Sequence, residues 1–454
     1  MQEIFANTAL TPQGWRENVR LTIDDSGRIA SVTPDSQPGA ASRVPVLLPA
    51  VSNLHSHTFQ RAMAGLAERR GTKGQDSFWT WREVMYHFLD QLSPEDIEAI
   101  AAFAFMEMQE AGFCAVAEFH YLHHQPGGTS YANLAELSAR IVNAAGETRI
   151  GLTLLPVLYR YGGVDRRALA GGQMRFGNDV EAFEKLLAGA ETHMRQLPAD
   201  AVLGAAAHSL RGAAIEDIKA AVALQSDTPF HIHIAEQEPE VEDVVAAFGA
   251  RPVEYLLREV DVDSRWCLIH ATHMNAIETE DLAKSRAVAG LCPITEGNLG
   301  DGIFNGPAYR QAGGRFGVGS DSNVRISVSE ELRQLEYSQR LKHRARAVLA
   351  DGGQSCGRAL YDAALQAGAQ ALGRDSGALE PGKWADVVAA DPVRFAGVSS
   401  GDTILDGWIF AGGNEAVTDL WSAGRHAVRD GRHVARETIA ERYRATVTRL
   451  TERL

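Results

Sequence analysis

Histidines at the ends of apolar runs are the residues of this sequence best placed to do chemistry. His55 and His57 close one such run and lie two residues apart, so that on a strand both imidazoles face the same side and can share one metal ion. His231 and His233 lie in a second run, which continues to Glu236, a carboxylate suited to acid/base work. Either histidine of this second pair can be the ligand, the other being a buried histidine bonded to a backbone carbonyl.

Two more apolar runs end in residues of the same kind. His270 follows its run directly and is the better candidate there, whereas His273 is expected to be a structural or loop histidine. Asp321 follows a glycine-rich strand end and offers a carboxylate, although taken alone it would be interpreted as a helix N-cap. Three histidines and one aspartate form a ligand set that leaves a position for water, and such an open site lowers the pKa of that water to about 7. One ion is expected, because residues 202–210 contain no lysine or acidic side chain that could bridge a second.

Eight short apolar runs, separated by helical stretches, must position these side chains. The candidate strands are residues 46–57, 115–121, 150–158, 202–210, 229–236, 266–273, 287–294 and 315–321. This alternation is typical of βα units around a buried parallel sheet, and eight units predict an α/β fold, the (β/α)₈ TIM-like barrel. Active sites of such barrels lie at the carboxyl ends of the strands, which is where the histidines fall.

The two ends of the chain differ in pattern from its middle. Residues 19–23 alternate apolar and polar side chains, and strand-like segments return after about residue 378. We therefore expect both ends to form one small β-sandwich domain beside the barrel. The predicted domains are 1–47 and 378–435 for the β-sandwich, 48–377 for the barrel, and 436–454 for a C-terminal amphipathic helix.

Composition narrows the class of protein. The 454 residues carry a formal net charge of −14, which argues against nucleic acid or an anionic membrane as a partner. The four cysteines are scattered without a CxxC pair, so neither a disulfide framework nor a cysteine zinc site is expected. The N-terminus has no signal-peptide pattern, and no apolar run approaches the roughly 20 residues of a membrane span. We expect a cytoplasmic protein that acts on a small molecule.

The combination of motifs resembles a known family. HxH after the first strand, HxxE at the fifth, histidine at the sixth and Ser-Asp at the eighth are similar to the amidohydrolase superfamily, in its mononuclear deaminase branch. Residues 377–386 and 423–425 resemble that superfamily's return into its β-sandwich. A closer similarity, to the formimidoylglutamate deiminase family of histidine degradation, is carried by residues 53–65 (NLHSHTFQRAMAG), 77–82 (SFWTWR), 118–121 (EFHY), 208–211 (HSLR) and 298–302 (NLGDG). A small departure is Pro-Ala-Val at 49–51, where the superfamily usually has Pro-Gly-Met, at a position that supplies no ligand.

The resemblance implies a role for each residue of the site. It implies one divalent ion, zinc in the first instance with iron or manganese compatible with similar ligands, held by His55, His57, His233 and Asp321. It implies Glu236, His270 and Asp321 as the catalytic residues. The implied reaction is hydrolytic deimination of N-formimino-L-glutamate to N-formyl-L-glutamate and ammonia. Two carboxylates on that substrate call for arginine forks, and the matching motifs contain the implied substrate-binding residues Gln60, Arg82, Tyr121, His208 and Arg211.

Other functions stay open from the sequence alone. A related mononuclear aminohydrolase acting on a nucleobase or an S-adenosylhomocysteine-like compound would favour stacking aromatic side chains over paired arginines. A catalytically inactive barrel would be expected to lack one of the ligands or an acid/base residue, and the sequence contains them all. The HxE…PCxxC pattern of zinc nucleoside deaminases is absent. The helical tail is compatible with a dimer interface, and a homodimer is expected.

Overall fold

The computed structural model of the protein describes residues 1–68, 78–395, 397 and 400–452. Two of the sequence predictions extend beyond these residues. Ser77, the first residue of the SFWTWR motif, and Leu454, the last residue of the predicted terminal helix, lie outside the described residues.

Strands and helices alternate through the middle of the chain, and strands dominate its two ends. In chain order the strands are β1 (Gln2–Thr11), β2 (Gly14–Ile23), β3 (Ile29–Thr33), β4 (Ser42–Pro49), β5 (Val51–Ser56), β6 (Phe113–His120), β7 (Gly151–Leu158), β8 (Val202–Leu203), β9 (Ala205–Ala207), β10 (Phe230–Ile234), β11 (Trp266–His270), β12 (Val288–Leu291), β13 (Arg315–Val318), β14 (Val387–Ala390), β15 (Val417–Ser422), β16 (Arg425–Arg429) and β17 (Arg432–His433). The helices are α1 (Phe78–Leu89), α2 (Pro94–Glu110), α3 (Glu136–Thr148), α4 (Val180–Met194), α5 (Ile215–Leu224), α6 (Glu238–Phe248), α7 (Pro252–Glu259), α8 (Ala276–Ser285), α9 (Pro293–Leu299), α10 (Gly306–Gln311), α11 (Val328–His343), α12 (Cys356–Leu372), α13 (Thr403–Ala411) and α14 (Arg436–Thr451).

A parallel barrel forms the centre of the molecule. Strands β5 to β13 pair in chain order, with the short β8 and β9 on either side of Gly204 together occupying the fourth position. The barrel is closed between its first and last strands, where the His57 amide donates to the Asp321 carbonyl (2.9 Å) and the Asp321 amide donates to the His55 carbonyl (3.0 Å). The predicted (β/α)₈ fold is confirmed, and its closure places Asp321 directly beside the HxH segment.

The first barrel strand is shorter than the sequence predicts. Residues 46–57 were expected to form one strand, but the chain leaves one sheet and enters another at Ala50, whose amide donates to the Asp386 carbonyl (2.9 Å). Strand β4 ends at Pro49 in the small sheet, and β5 begins at Val51 in the barrel. Both halves are deeply buried, so the apolar run is continuous and contains no signal of the change.

The two ends of the chain meet in a second sheet of eight strands. Their order is β17-β16-β15-β14-β4-β1-β2-β3, so the N-terminal and C-terminal halves join where β4 and β14 run antiparallel. One face covers a small core of its own that includes Ile4, Leu21 and Val387, while Leu48 and Val388 on the other face belong to the barrel's core. The predicted small β domain formed from both termini is confirmed; the residue boundaries predicted for the domains stay a prediction.

Two helices outside the strand pattern, α2 and the predicted C-terminal helix α14, pack on each other. Ser93 and Asp96 form a capping box at the start of α2: the Asp96 amide donates to the Ser93 hydroxyl (3.3 Å), and the Ser93 amide donates to the Asp96 carboxylate (3.0 Å). The amphipathic helix α14 packs on α2, where its Tyr443 ring stacks on Phe103 with centroids 3.8 Å apart. Among the described helices, none combines the length and the apolar character that a membrane crossing needs.

A buried arginine links the barrel to the small sheet. Arg374 follows α12, and its guanidinium donates to both carboxylate oxygens of Asp386 (2.9 and 3.1 Å) and to Asp200 Oδ2 (3.1 Å). Replacing Arg374 with methionine leaves the buried Asp386 without its counter-charge and leaves Asp200 with Arg425 alone. We expect Arg374→Met to lower the free energy of unfolding by about 3–5 kcal/mol, measured by urea denaturation.

The control for this substitution is Arg195→Met on α4. Arg195 pairs with Glu191 one turn away (3.1 Å) at an exposed position, where an ion pair contributes about 0.3–0.5 kcal/mol. Equal losses of stability in the two variants would contradict a structural role for the buried pair.

Candidate active site

The HxH pair lies at the carboxyl end of β5, facing the mouth of the barrel. The Nε2 atoms of His55 and His57 are 3.2 Å apart, and both side chains are almost fully buried. His57 Nδ1 is 3.0 Å from the Phe119 carbonyl, to which it donates, so the lone pair of this imidazole is on Nε2. Burial lowers the pKa of His55 to about 4 and that of His57 to about 3. Both rings are therefore neutral at neutral pH, as metal ligands must be.

The two histidines of β10 contact different groups. His233 Nε2 lies 3.0 Å from His55 Nε2, and its Nδ1 donates to the His208 carbonyl (3.0 Å). His231 Nε2 instead lies 2.8 Å from the Ala371 carbonyl on α12. Two residues apart on a strand share a face, but His233 is the nearer of the two to the carboxyl end of β10, which ends at Ile234. The structure thus brings His233, and not His231, to the HxH pair.

Asp321 completes this cluster from beyond β13. Its Oδ1 is 3.6 Å from His55 Nε2 and 3.4 Å from His57 Nε2, while Oδ2 is 3.7 Å from His270 Nε2. Burial opposes ionisation of Asp321, but the hydrogen bond and charge of His55 and the charge of His270 outweigh it and hold its pKa below the usual range. Gly319 permits the approach, because a Cβ there would lie 2.7 Å from the His55 amide nitrogen.

The three imidazoles and the carboxylate are arranged as a bound cation would require. His55 Nε2 lies within hydrogen-bond distance of the Nε2 atoms of both His57 and His233, and these two already use Nδ1–H as their donor and present lone pairs on Nε2. A neutral His55 has one ring hydrogen and cannot satisfy both lone pairs, whereas a metal ion would accept all three nitrogens, and the Asp321 carboxylate would add an oxygen ligand. His55, His57 and His233 are also a group whose ligand atoms all lie within 4.8 Å of one another. Three imidazoles and one carboxylate suit zinc and other divalent first-row metals.

Glu236 and His270 face each other beside this cluster. Glu236 Oε1 is 3.7 Å from His270 Nε2. Burial raises the pKa of Glu236. Burial opposes a charge on His270, but the carboxylates of Glu236, Glu296 and Asp321 outweigh it and raise its pKa to about 10. The pair can both accept and deliver a proton within a few ångströms of the cluster.

The backbone at the ends of these strands adopts conformations that are rare for non-glycine residues. Ala235, His270 and Asp321 have φ angles of +51°, +68° and +45°. Each such backbone conformation is unfavourable by on the order of 1–3 kcal/mol of conformational free energy. It persists where the surrounding structure fixes it, which is common at functional sites. Strained residues from three different strands converge on one small volume here.

Glu296 is a part of the site that the sequence analysis missed. Its Oε1 is 3.3 Å from His270 Nδ1 and accepts the Cys292 amide hydrogen (2.9 Å). The carboxylate therefore orients the His270 ring so that Nε2 faces Glu236 and Asp321. In the sequence Glu296 is an ordinary acidic residue in the first turn of α9; its position just after the seventh barrel strand is the one signal that could have indicated it.

Gln60 reaches the mouth from the short 3₁₀ turn Thr58–Met63, which Glu118 anchors. The Glu118 carboxylate accepts the Thr58 amide (2.8 Å) and hydroxyl (2.7 Å), and burial raises its pKa to about 7. Gln60 Nε2 donates to the Tyr121 hydroxyl (2.9 Å). The turn that follows the HxH pair is thus held against β6, with its amide directed at the pocket.

One pocket contains nearly all of the candidate residues. Of the sequence-predicted site residues it is lined by His57, Gln60, Arg82, Tyr121, His208, Arg211, His233, Glu236, His270 and Asp321. His55 lies beneath them, fully buried. His273 is not among the lining residues and donates through Nε2 to the Asp301 carbonyl (2.8 Å). The residues implied for metal, proton transfer and substrate therefore share one cavity.

One end of the pocket is lined by two positively charged side chains, Arg82 and Arg211. Arg211 has a guanidinium nitrogen 3.7 Å from Glu236 Oε2 and 3.9 Å from Glu240 Oε2. Arg82 donates from Nη2 to the Tyr159 hydroxyl (3.3 Å). Burial, with the charges of both arginines, holds the pKa of His208 well below its usual value, so His208 is a neutral donor or acceptor between them. An anionic group suits this end of the cavity.

The chain is similar to several known proteins. The family model described as Amidohydrolase family matches residues 46–427, and the model described as Formimidoylglutamate deiminase HutF, N-terminal domain, matches residues 1–44. The formimidoylglutamate deiminase of Pseudomonas aeruginosa is 49% identical over 450 residues, which cover 98% of each chain. The crystal structure of an amidohydrolase from Brucella melitensis has a TM-score of 0.95 at 48% identity, covering 99% of this chain and 100% of that one. The crystal structure of an adenosine deaminase from Xanthomonas campestris with bound zinc has a TM-score of 0.82 at 19% identity, covering 99% of this chain and 98% of that one. At this identity the similarity is one of fold.

Proposed function

The chain belongs to the amidohydrolase family and, within it, to the formimidoylglutamate deiminases, and we propose that it hydrolyses N-formimino-L-glutamate to N-formyl-L-glutamate and ammonia in histidine degradation. One observation carries the assignment to a dicarboxylate. Two arginines, Arg82 and Arg211, lie in the same pocket as the acid/base pair and the histidine cluster. A compact amidine with two carboxylates needs that combination of groups.

We propose one divalent ion per chain, zinc, with His55, His57, His233 and Asp321 as its ligands. The support is the convergence of three Nε2 atoms beside a carboxylate, with one ring hydrogen too few to satisfy them. Such an ion supplies a water that is acidic enough to lose its proton near neutral pH.

The protein's own side chains then move the protons. Asp321 takes a proton of the attacking water, the oxygen adds to the formimino carbon, and the C=N bond becomes single as Glu236 gives a proton to the terminal nitrogen. His270, which is 3.7 Å from both Asp321 and Glu236, relays the proton from Asp321 to Glu236. The oxygen then loses its second proton as the C=O bond forms, Glu236 gives the nitrogen a second proton, the C–N bond to that nitrogen breaks, and ammonia leaves. The two protons lost by water are the two gained by nitrogen, so water and amidine give N-formyl amide and ammonia with no other reactant.

The substrate's carboxylates are held away from the reacting carbon. Arg82 and Arg211 pair with them, and Gln60, Tyr121 and His208 add neutral hydrogen bonds. Because Arg211 also lies 3.7 Å from Glu236, the residue that binds substrate helps to set the position of the proton donor.

Arg211 provides the first test of this recognition. We expect Arg211→Met to raise KM for N-formimino-L-glutamate roughly 10- to 100-fold, the range for a lost hydrogen bond to a charged group, with a smaller fall in kcat. Arg211→Lys keeps the charge but loses the forked guanidinium, so its KM should lie between those of the wild type and of Arg211→Met. Arg166→Met, at an exposed pair with Glu216, is the control. An unchanged KM in Arg211→Met would remove Arg211 from substrate binding.

A substrate panel tests the function itself. Ammonia release is followed with N-formimino-L-glutamate, guanine, cytosine and S-adenosylhomocysteine under identical conditions. We expect appreciable turnover of N-formimino-L-glutamate and of none of the other three compounds. Faster release from a nucleobase or from S-adenosylhomocysteine would contradict the assignment and favour the related aminohydrolase activity.

We also propose that the protein is a cytoplasmic homodimer. Degradation intermediates of amino acids are formed and consumed inside the cell, and the net charge of −14 argues against nucleic acid as a partner. Light scattering coupled to size-exclusion chromatography is expected to give twice the mass of the 49.1 kDa chain; a monomer mass would overturn the proposed dimer.

A further inference from the structure

Two tyrosines outside the implied substrate set line the positive end of the pocket. Tyr86 is on α1, one helical turn beyond Arg82, and Tyr159 directly follows β7. Both contact Arg82: its Nη2 donates to the Tyr159 hydroxyl (3.3 Å), and its guanidinium carbon lies 5.1 Å from the centre of the Tyr86 ring. The two rings therefore surround the guanidinium on which one carboxylate is expected to lie.

The Tyr159 hydroxyl is held as a donor. Its oxygen accepts Nη2–H of Arg82 and Nε2–H of Gln173 (3.1 Å). Arginine is a pure donor, and the glutamine presents its amide nitrogen, so neither takes the hydroxyl hydrogen. That hydrogen is left to point into the cavity that Tyr159 lines.

The Tyr86 hydroxyl is also left without an acceptor. Its oxygen is buried and has no hydrogen bond of normal geometry among the described residues, and the polar group that acts on it is the guanidinium of Arg82, which can only donate. Burial raises its pKa, so it keeps its hydrogen at neutral pH. A buried hydroxyl hydrogen without an acceptor is unfavourable, and an incoming anion would accept it.

The position of the Tyr86 ring is fixed by a glycine. A Cβ at Gly172, in the 3₁₀ turn Gly171–Arg175, would lie 2.6 Å from Tyr86 Cδ1. Tyr86 thus packs closely against the backbone of that turn, which also carries Gln173, the partner of Tyr159. One turn positions both hydroxyls.

We infer that Tyr86 and Tyr159 donate their hydroxyl hydrogens to the substrate carboxylate held by Arg82, and that they set the selectivity of the site for a dicarboxylate. Gln173 and Gly172 act as positioning residues for this pair. The inference rests on the proposed function, because it assigns groups to a carboxylate of that substrate.

The experiment compares Tyr86→Phe and Tyr159→Phe with the wild-type holoenzyme on three compounds. These are N-formimino-L-glutamate, N-formimino-L-glutamine, which lacks the side-chain carboxylate, and 4-(formimidoylamino)butanoate, which lacks the α-carboxylate. We expect each variant to lose roughly 10- to 100-fold in kcat/KM on the dicarboxylate, mainly through KM. The loss should shrink to about threefold or less on one of the two analogues, the same analogue for both variants, because the carboxylate they contact is absent there.

Two further variants separate recognition from structure. Gly172→Ala removes no hydroxyl and should reproduce the substrate-dependent loss by displacing the Tyr86 ring. Tyr309→Phe, a buried tyrosine on α10 outside the pocket, should leave all three kcat/KM values unchanged. Thermal unfolding checks that each variant is folded.

The outcomes are distinct. A loss of equal size on all three compounds, or no loss on any, overturns the inference while leaving the proposed function intact. If the wild-type enzyme releases no ammonia from N-formimino-L-glutamate, the proposed function fails, and the inference fails with it.

Discussion

Glu236→Gln is expected to lower kcat by roughly 100- to 10,000-fold, the range for a positioned proton-transfer group, and to leave the metal content unchanged. Glutamine keeps the shape of the side chain but cannot give a proton to the departing nitrogen. Glu236 is 3.7 Å from His270 and 3.7 Å from Arg211, and burial raises its pKa toward the value a proton donor needs. Steady-state kinetics with metal analysis of the same samples measure both quantities.

The matched control is Glu238→Gln, two residues along the chain. Glu238 begins α6 at an exposed position outside the pocket. It should turn over at the wild-type rate. A near-normal kcat in Glu236→Gln would remove Glu236 from the mechanism, and loss of metal from that variant would make it a ligand instead.

Loss of the metal is the second large effect. We expect His233→Asn to reduce the metal content from about one ion per chain to a small fraction of that and to abolish measurable turnover. Chelation of the wild-type protein should have the same effect, reversed by added zinc. The physical reason is that His233 Nε2 lies 3.0 Å from His55 Nε2, so the two nitrogens would share one ion and asparagine would remove one of its ligands.

His231→Asn is the control on the same strand. Its imidazole is bonded to the Ala371 carbonyl on α12, away from the cluster. It should keep the ion and most of the activity, even where it lowers the melting temperature. Two tightly bound ions in the wild-type protein would contradict the mononuclear site, and metal retained by His233→Asn would contradict the ligand set.

Much of the fold could be predicted because buried strands and polar strand ends are local in sequence. His55, His233 and Asp321 each close an apolar run, and parallel strands bring their carboxyl ends to one rim. The break between β4 and β5 at Ala50 could not be predicted, because both strands are buried on both faces and their apolar runs merge. The alternation of apolar and polar residues cannot locate a strand boundary where the residues on both sides of it are all buried.

The choice between His231 and His233 shows a second limit. Both are histidines in the same strand, and parity alone makes them equivalent. Their positions along β10 decide between them, because one imidazole meets Ala371 on α12 and the other meets His55. Both contacts join residues more than 100 positions apart in the chain. The contacts of Glu296 with His270 and of Tyr159 with Arg82 join residues 26 and 77 positions apart, which a local pattern does not show either.

Arg82 was predicted as a substrate-binding residue only through the resemblance to a known family. Arg82, as a helix residue, carries no signal of its own in the sequence, and only the matching motif implied it. The structure places it in the pocket with Arg211. The physical argument for a dicarboxylate could therefore be made only once both residues were seen in one cavity.

The most direct test of the proposed deimination is to identify which C–N bond of the substrate breaks. Metal-analysed protein is incubated with N-formimino-L-glutamate, and the products are identified by NMR and an ammonia assay. The account predicts ammonia and N-formyl-L-glutamate in equal amounts, because Glu236 gives its proton to the terminal nitrogen. Formamide and L-glutamate as products, or no ammonia from protein that carries its metal, would contradict it.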